Sequence, residues 1–471
     1  MIDEKIIKAY ALKNAVEHKG KALVSSVINS LFIIGLKKDE VKEIVPLVNS
    51  IVSEINSIDF QKQLEEYEKI KHLISHRKER EGLQELENVE NGVIMRFAPS
   101  PSGPMHIGHA ITGLLSSLYV KKYGGKFYFR IEDTNPDNIY PPAYKMLKED
   151  AEWIFDNVSD YIIQSDRMEY YYKYSEKLIE KNAAYVCICD NEKFKKLIRK
   201  SKECNCRSLS QKENMNRWKK MLAKNGYKEG EAVLRFKSNL KDPNPAMRDF
   251  PLARINLTKH PRCGKKYRVW PLMNLAVSVD DIEYSITHSI RAKDHRDNSE
   301  RQRMIYKALG LEKKFPKVYF SGRYNFKDME LSTTKIRMDI EKGKYSGWDD
   351  IRLPFLISLK KRGYQPAAFE KLVIQRGLSE VDKLISKKDF FEVLNNFNRK
   401  ILKENLNIKS FEFKKANEKD SNVKILIENG KFLYGKSNAK AKNGEIVHFK
   451  GLGYAKLNLE KNKKIFWFCH E

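Results

Sequence analysis

Two histidines three residues apart, His106 and His109, stand in the run PSPSGPMHIGHA, residues 99–110. A short apolar, β-leaning segment, GVIMRFAPS, leads into it, and ITGLLSSLYVKKYG, a helical pattern with a glycine stop, follows. Strand, glycine-containing loop and helix in that order make a cradle for phosphate and a flat base. Gly108 lacks a Cβ, so a base can approach the backbone closely. A helix beginning at His109 turns its N–H groups and positive dipole end toward anionic oxygens. Both histidines sit beside that dipole as hydrogen-bond donors to a polyphosphate. H-x-G-H alone also describes two ordinary loop histidines; the flanking strand and helix favour the nucleotide reading.

A second cluster is made of thiols. Four of the six cysteines, Cys187, Cys189, Cys204 and Cys206, form C-x-C, a gap of fourteen residues, then C-x-C. Two tight knuckles of this kind suit a tetrahedral Zn²⁺, and four protein ligands make its role structural. The alternative is four buried thiols without metal. Cys263 and Cys469 look incidental.

These residues need elements to hold them. The 471 residues exceed one core and suggest roughly two to five domains. Residues 1–90 read as a helical region, closed by a highly charged helix over FQKQLEEYEKIKHLISHRKEREGLQELE, residues 60–87. An α/β nucleotide fold of Rossmann type opens at 91–185 with GVIMRFAPS and KFYFRIED as parallel strands. Residues 186–268, with the cysteines, a charged helix and proline-rich DPNPAMRDFPLARI, read as an insertion. The α/β pattern resumes over 269–321, and 322–400 is mainly helical. Residues 401–471 show period-two strands between Gly and Asn turns, as in a small antiparallel β-barrel.

Composition narrows the class. Lys and Arg number 89 against 62 acids, a formal charge of +27 spread along the chain, which favours a polyanionic partner such as nucleic acid. Apolar runs are too short or too charged for a membrane span, and MIDEKIIKAY lacks an apolar signal core. A cytoplasmic protein with no membrane partner is expected.

His106-Ile107-Gly108-His109 resembles the HIGH signature of class I aminoacyl-tRNA synthetases, and RFAPSPSGPMHIGHA resembles the glutamyl subgroup of archaeal type. The resemblance runs from KAYALKNAVEHKGKA to FNRKIL through YGGKFYFRIEDT, KYRVWPLMNLAVSVDD and ITHSIRAKDH. It implies a Rossmann-type catalytic domain split by an acceptor-binding insertion, a stem-contact helical region and a C-terminal anticodon-binding barrel. Two barrels are usual; the residues here suffice for one. The implied reaction is activation of L-glutamate by ATP with Mg²⁺, then transfer to tRNA-Glu, with tRNA-Gln left open as a second acceptor. MELSTTKIR, residues 329–337, stands where the family has its KMSKS loop, with Ser332 on the motif serine and the lysine's role carried to Lys335. By the residues alone, Ser332 and its threonines are also good helix N-caps.

The resemblance further implies an ATP site of Pro104, His106, Gly108, His109, Ser332 and Lys335, with His106, His109 and Lys335 catalytic. It places Arg96 and Arg291 against the substrate's carboxylates, Ser100 as a hydroxyl donor, Glu132 on the α-amino group and Met273 in the pocket wall. Arginine suits a carboxylate because two parallel hydrogen bonds fix orientation as well as charge. Met273 stands where the family usually has Tyr, and Asn135 where EDTD is usual. The zinc knuckles fall in the acceptor-binding insertion. The competing readings are a glutaminyl enzyme, a different Rossmann nucleotidylyltransferase and a catalytically silent RNA-binding relative; Arg291 speaks against the first, and His106, His109 and Lys335 against the last.

Overall fold

The computed structural model of the protein describes residues 2–36, 39–74, 82–405, 407–460 and 462–471. It divides into two units, residues 1–80 and 81–471. Among the described residues, no helix is long and apolar enough to cross a membrane.

In the first unit, α1 (Glu4–Glu17), α2 (Val24–Leu31), α3 (Val41–Ser57) and α4 (Phe60–Ile70) pack around Ile7, Leu12, Val27, Leu31, Val48 and Ile55. Asp3 and Asp59 cap α1 and α4 by accepting backbone N–H groups of the first turn. The buried Gln63 amide donates to the carbonyl of Ile55 at 2.8 Å, stitching α4 to the end of α3. The helix expected over 60–87 is shorter: α4 ends at Ile70 and a single 3-10 turn reaches Leu73. Residues 75–81 lie outside the described residues. Residues 83–91 carry no regular helix, because Leu86 instead enters the core of the second unit and its N–H donates to Tyr123 Oη at 3.0 Å.

The second unit begins with three parallel strands and two crossover helices: β1 (Val93–Phe97), α5 (Ile107–Tyr123), β2 (Gly125–Ile131), α6 (Ala143–Ile154) and β3 (Val158–Ile163). The helix α7 (Met168–Glu180) then leads into an antiparallel sheet of β4 (Ala184–Cys187), β5 (Val233–Phe236), β6 (Pro251–Ile255) and β7 (Val269–Pro271). Two short helices, α8 (Asn191–Arg199) and α9 (Gln211–Leu222), fall between β4 and β5. The chain returns through α10 (Met273–Glu283) to β8 (His288–Ala292), α11 (Arg296–Ala308) and β9 (Lys317–Ser321). Strands β8 and β9 pair in parallel. Thr287, just before β8, joins the two parallel sets: its N–H donates to the Ile94 carbonyl at 3.0 Å and its hydroxyl accepts from Ile94 N at 2.8 Å. The resulting order, β3-β2-β1-β8-β9, reverses direction of travel between β1 and β8, where ligands of doubly wound folds sit.

Beyond the short pair β10 (Tyr324–Phe326) and β11 (Lys383–Ile385) lie α12 (Thr333–Glu341), α13 (Leu356–Arg362), α14 (Pro366–Arg376) and α15 (Lys387–Asn405). The tail holds β12 (Ser410–Glu412), β13 (Lys414–Lys415), β14 (Val423–Leu426), β15 (Phe432–Lys436), β16 (Ile446–Lys450), β17 (Gly453–Glu460) and β18 (Lys463–His470). They form one mixed sheet ordered β12-β16-β17-β18-β14-β15-β13. The barrel expected here is therefore not closed by hydrogen bonds, since β12 and β13 are both edges. Those edges are nonetheless tied: only Phe413 separates them in sequence, a span of about 7 Å. The segment switches partners at that residue, from β16 to β15, instead of completing a ladder. Gly435 permits the turn-in, because a Cβ there would lie 2.3 Å from the Phe413 ring. Buried Arg362 fastens the sheet to α13 by donating to the carbonyls of Phe468 at 3.1 Å and Cys469 at 2.7 Å.

Candidate active site

The loop between β1 and α5 is fixed from both sides. Met105 N donates to the buried Asp150 carboxylate on α6 at 2.8 Å, its carbonyl accepts from Leu356 N at 2.9 Å, and Ile107 N donates to Pro354 O at 3.1 Å. The helix starts at Ile107, two residues earlier than expected, and His106 is its N-cap. His106 Nδ1 accepts from Gly108 N at 3.1 Å and His109 N at 3.3 Å, while His106 N donates to His109 Nδ1 at 3.4 Å. The two rings stack with centroids 3.8 Å apart. These helix N–H groups are therefore occupied by imidazole and not open to an anion, which corrects the expected use of the dipole. Gly108 serves the same packing: a Cβ there would sit 3.0 Å from the His106 ring.

Each imidazole thus uses Nδ1 as an acceptor, which fixes the neutral tautomer with its proton on Nε2. Burial keeps both rings neutral: it lowers His109 to about 4, and burial with the neighbouring His109 takes His106 well below its ordinary value. Among the described residues, neither Nε2 has a hydrogen-bond partner. The pair can offer two neutral N–H donors at one spot. Pro104, buried, lies in the same loop.

The 329–337 segment abuts this loop. Ser332 caps α12, accepting from Lys335 N at 3.4 Å, and Thr333 Oγ1 lies 2.9 Å from Ser102 Oγ. A Cβ on Gly103 would meet the Thr333 methyl at 3.1 Å, and one on Gly108 would lie 3.7 Å from Leu331 Cδ1. Lys335 itself is exposed and pairs with Glu330 at 2.7 Å, a carboxylate that also accepts from Ser332 N at 2.9 Å.

A cavity of about 200 Å³ opens nearby at the reversal between β1 and β8. Arg96 from β1, Arg130 and Glu132 from the end of β2, Met273 from the first turn of α10, Arg291 from β8 and Gln302 from α11 all line it. Behind the lining arginines lies buried Asp281. Arg96 grips both carboxylate oxygens, through Nε at 3.2 Å and Nη2 at 3.3 Å, and Arg130 Nη1 donates to Oδ1 at 2.7 Å. Arg130 Nη2 also donates to Glu132 at 3.0 Å. Arg291 donates to Ser289 Oγ at 3.3 Å and to Gln302 Oε1. The neighbouring Asp280 is held by Arg167 at 2.7 Å, Gln164 at 2.8 Å and Tyr171.

Charge in the cavity does not balance. Arg96, Arg130 and Arg291 face Glu132 and Asp281, which leaves one cation over. Burial works against the Asp281 carboxylate, yet Arg96, Arg130 and Arg291 hold it below the usual carboxylate range. The surplus is felt at Arg291, lowered to about 10 by burial and then by Arg96. Such a cavity stabilises an incoming anion. Ser100 is exposed on the loop and does not line the cavity; its carbonyl accepts from Ser102 N at 2.9 Å. Asn135 lies outside as well, accepting from Arg254 at 2.9 Å.

Residues 92–404 match the catalytic-domain family model of class I tRNA synthetases, E and Q. The chain belongs to this family. A glutamate–tRNA ligase of Methanothermobacter thermautotrophicus is 42% identical over 407 residues, covering 85% of this chain and 71% of the relative. One from Methanocaldococcus jannaschii is 41% identical over 393 residues, covering 83% and 70%, and one from Pyrococcus horikoshii is 44% identical over 411 residues, covering 85% and 70%. Among solved structures, a glutamate tRNA ligase from Elizabethkingia meningosepticum in complex with its amino acid aligns with TM-score 0.45 at 20% identity, over 66% of this chain and 70% of that one.

Three residues of this synthetase site escaped the reading by sequence: Arg130, Asp281 and Gln302. Arg130 had a signal, since it lies two residues from Glu132 on a strand and so shares its face. Asp280-Asp281 had one too, as paired acids ending the apolar helical run LAVSV. Gln302 had none; only the fold brings it to the cavity.

The synthetase's four clustered cysteines also meet. Cys187 Sγ is 3.9 Å from Cys204 Sγ, Cys189 Sγ is 3.8 Å from Cys206 Sγ, and all four sulfurs lie within 4.8 Å of one another. Zn–S bonds of about 2.3 Å in a tetrahedron put sulfurs about 3.8 Å apart, so the donor set fits one ion. Arg217 Nη1 lies 3.3 Å from Cys206 Sγ, a donor suited to thiolate charge.

Proposed function

We propose that the chain is a cytoplasmic glutamate–tRNA ligase: it joins L-glutamate to the α-phosphate of ATP, then to the 3′ end of tRNA-Glu, releasing pyrophosphate and AMP. The observation that carries this reading is the surplus cation at Arg291, in a cavity lined by Arg96, Arg130 and Glu132 whose charges suit a dicarboxylic amino acid. The named activity of relatives about 42% identical over most of the chain supports it. Arg291 receives a substrate carboxylate, with Arg96 behind it, and the oxygen of Glu132 not held by Arg130 accepts from the ammonium. Met273 forms part of the wall.

Glutamate's α-carboxylate oxygen attacks the α-phosphorus as pyrophosphate leaves, so alignment and charge stabilisation do most of the work. His106 and His109 donate through Nε2 to the polyphosphate, whose Mg²⁺ enters with the substrate. Gly108 and Pro104 shape the seat of the nucleotide. Ser332 fixes the start of α12, and Lys335 leaves Glu330 to meet the phosphates. Cys187, Cys189, Cys204 and Cys206 would hold one structural Zn²⁺, which cross-links β4 to the loop after α8. We assign the insertion around β4–β7 to the tRNA acceptor end, the helices after Lys335 to the stem and the C-terminal sheet to the anticodon.

The test is aminoacylation of purified tRNA-Glu and tRNA-Gln with labelled glutamate and glutamine. Charging of tRNA-Glu with glutamate and not glutamine is expected; charging with glutamine alone would replace this reading by the glutaminyl one.

A further inference from the structure

Gln302 is 1% exposed on α11 and reaches the cavity wall. Both ends of its amide are used: Oε1 accepts from Arg291 Nη2, and Nε2 donates to Asp281 Oδ2 at 2.9 Å. Arg291 Nη2 stays 3.8 Å from that same Oδ2, beyond a direct hydrogen bond. Asp281 has no acceptor to spare, since Oδ1 takes Arg96 and Arg130 while Oδ2 takes Arg96 and Gln302. Arg291 Nε is turned to Ser289, and among the described residues Nη1 donates to none.

We propose that Gln302 is a spacer, a positioning residue that keeps Arg291 from closing onto Asp281 so that its charge stays available to the amino-acid substrate's side-chain carboxylate. This rests on the glutamate-activating reading above. An amide is the side chain this place requires. It presents an acceptor to the arginine and a donor to the aspartate, and it is neutral. A carboxylate there would pair with Arg291 and cancel the surplus cation. An apolar side chain would leave only a short swing between the guanidinium and Asp281, with the same outcome. Gln302 spends both polar ends on protein groups and so acts on the ligand through Arg291.

The experiment uses the full chain with Gln302→Glu and Gln302→Met, measuring ATP–pyrophosphate exchange at varied glutamate, glutamine and ATP. In each variant the KM for glutamate should rise roughly 10- to 100-fold, the value of one charged hydrogen bond. The KM for ATP should move by less than about threefold, because the histidine loop is built separately. The preference for glutamate over glutamine should shrink most in Gln302→Glu. An unchanged glutamate KM in either folded variant, or a parallel rise in both KM values, overturns the proposal. Loss of the fold in both variants would assign Gln302 to structure and overturn it equally. Failure of the parent to show glutamate-dependent exchange would instead strike the underlying functional reading.

Discussion

Replacing Arg291 by methionine separates what this arginine does for a ligand from what it costs the fold. Its proton affinity falls from the ordinary 12.5 to about 10, through burial and then the neighbouring Arg96. The folded state therefore holds that proton less well than the unfolded chain, which opposes folding by roughly 3 kcal/mol at neutral pH. The penalty is fully present below about pH 10 and fades as pH rises beyond it. Methionine keeps much of the volume and removes the charge. It also strips Gln302 Oε1 and Ser289 Oγ of their donor, at about 1–3 kcal/mol for each buried group. The opposing changes are of one size, so the melting temperature should stay within a few degrees of the parent's. Glutamate faces a different balance. Its side-chain carboxylate would enter a buried cavity without its cation, a loss of roughly 3–5 kcal/mol, or a fall in kcat/KM of about 10²- to 5 × 10³-fold. Pyrophosphate exchange at varied glutamate and ATP, with thermal melts on the same protein, reads both quantities. A fall smaller than about tenfold refutes the ligand role, and a melting temperature lower by about 10 °C or more would mean that the arginine holds the fold instead.

Lys335→Ala and His106→Ala should each lower adenylate formation strongly without moving the melting temperature by more than a few degrees, whereas Glu330→Gln, which breaks only an exposed and solvent-screened pair, should change exchange by no more than about threefold. Because His109 is held neutral down to about 4, exchange should show no histidine titration between pH 6 and 8, and the stability gained from the neutral ring should be lost as pH falls from 6.5 toward 4; a step in the rate near pH 6.5 would count against the tautomers assigned here. Elemental analysis of protein prepared without chelators should find one zinc per chain, and Cys204→Ser should lose it. Binding of tRNA should weaken steeply with salt as lysines and arginines release counterions from the phosphates.

What could be read from the sequence was what neighbours in sequence decide. Strand β1, helix α5 and strand β2 show in the alternation and periodicity of 92–131, and C-x-C pairs declare their geometry wherever they fall. The helix expected over 60–87 differs at 82–87, because charge spacing there does not reveal that Leu86 has a core to enter elsewhere. The tail's strands were legible one by one, but their order was not: a barrel and an open sheet share the same period-two pattern. The difference lies in Phe413, where one short segment serves two edges. Asp281 and Arg96 are 185 residues apart, and no local rule joins a helix end to a strand end across that distance.

Charge is distributed over this site in a way that bears on how two anions are kept in their places. The incoming ATP carries several negative charges and glutamate carries two carboxylates. A cationic histidine at the head of α5 would attract either. The cap geometry prevents this, because an Nδ1 that accepts helix N–H groups cannot also carry a proton, so the loop offers direction without net charge. The positive charge is placed instead at Arg291, where Asp281 is already satisfied by Arg96, Arg130 and Gln302 and cannot absorb it. A polyphosphate gains most from Nε2 donors and the exposed Lys335; a compact carboxylate gains most from a fixed guanidinium in a small buried cavity. The separation therefore depends on neutrality at His106 and His109 as much as on the arginine. Replacing His109 with lysine should test that dependence. It is expected to raise the KM for glutamate by drawing the carboxylate away from Arg291, and unaltered glutamate binding in that variant would refute the argument.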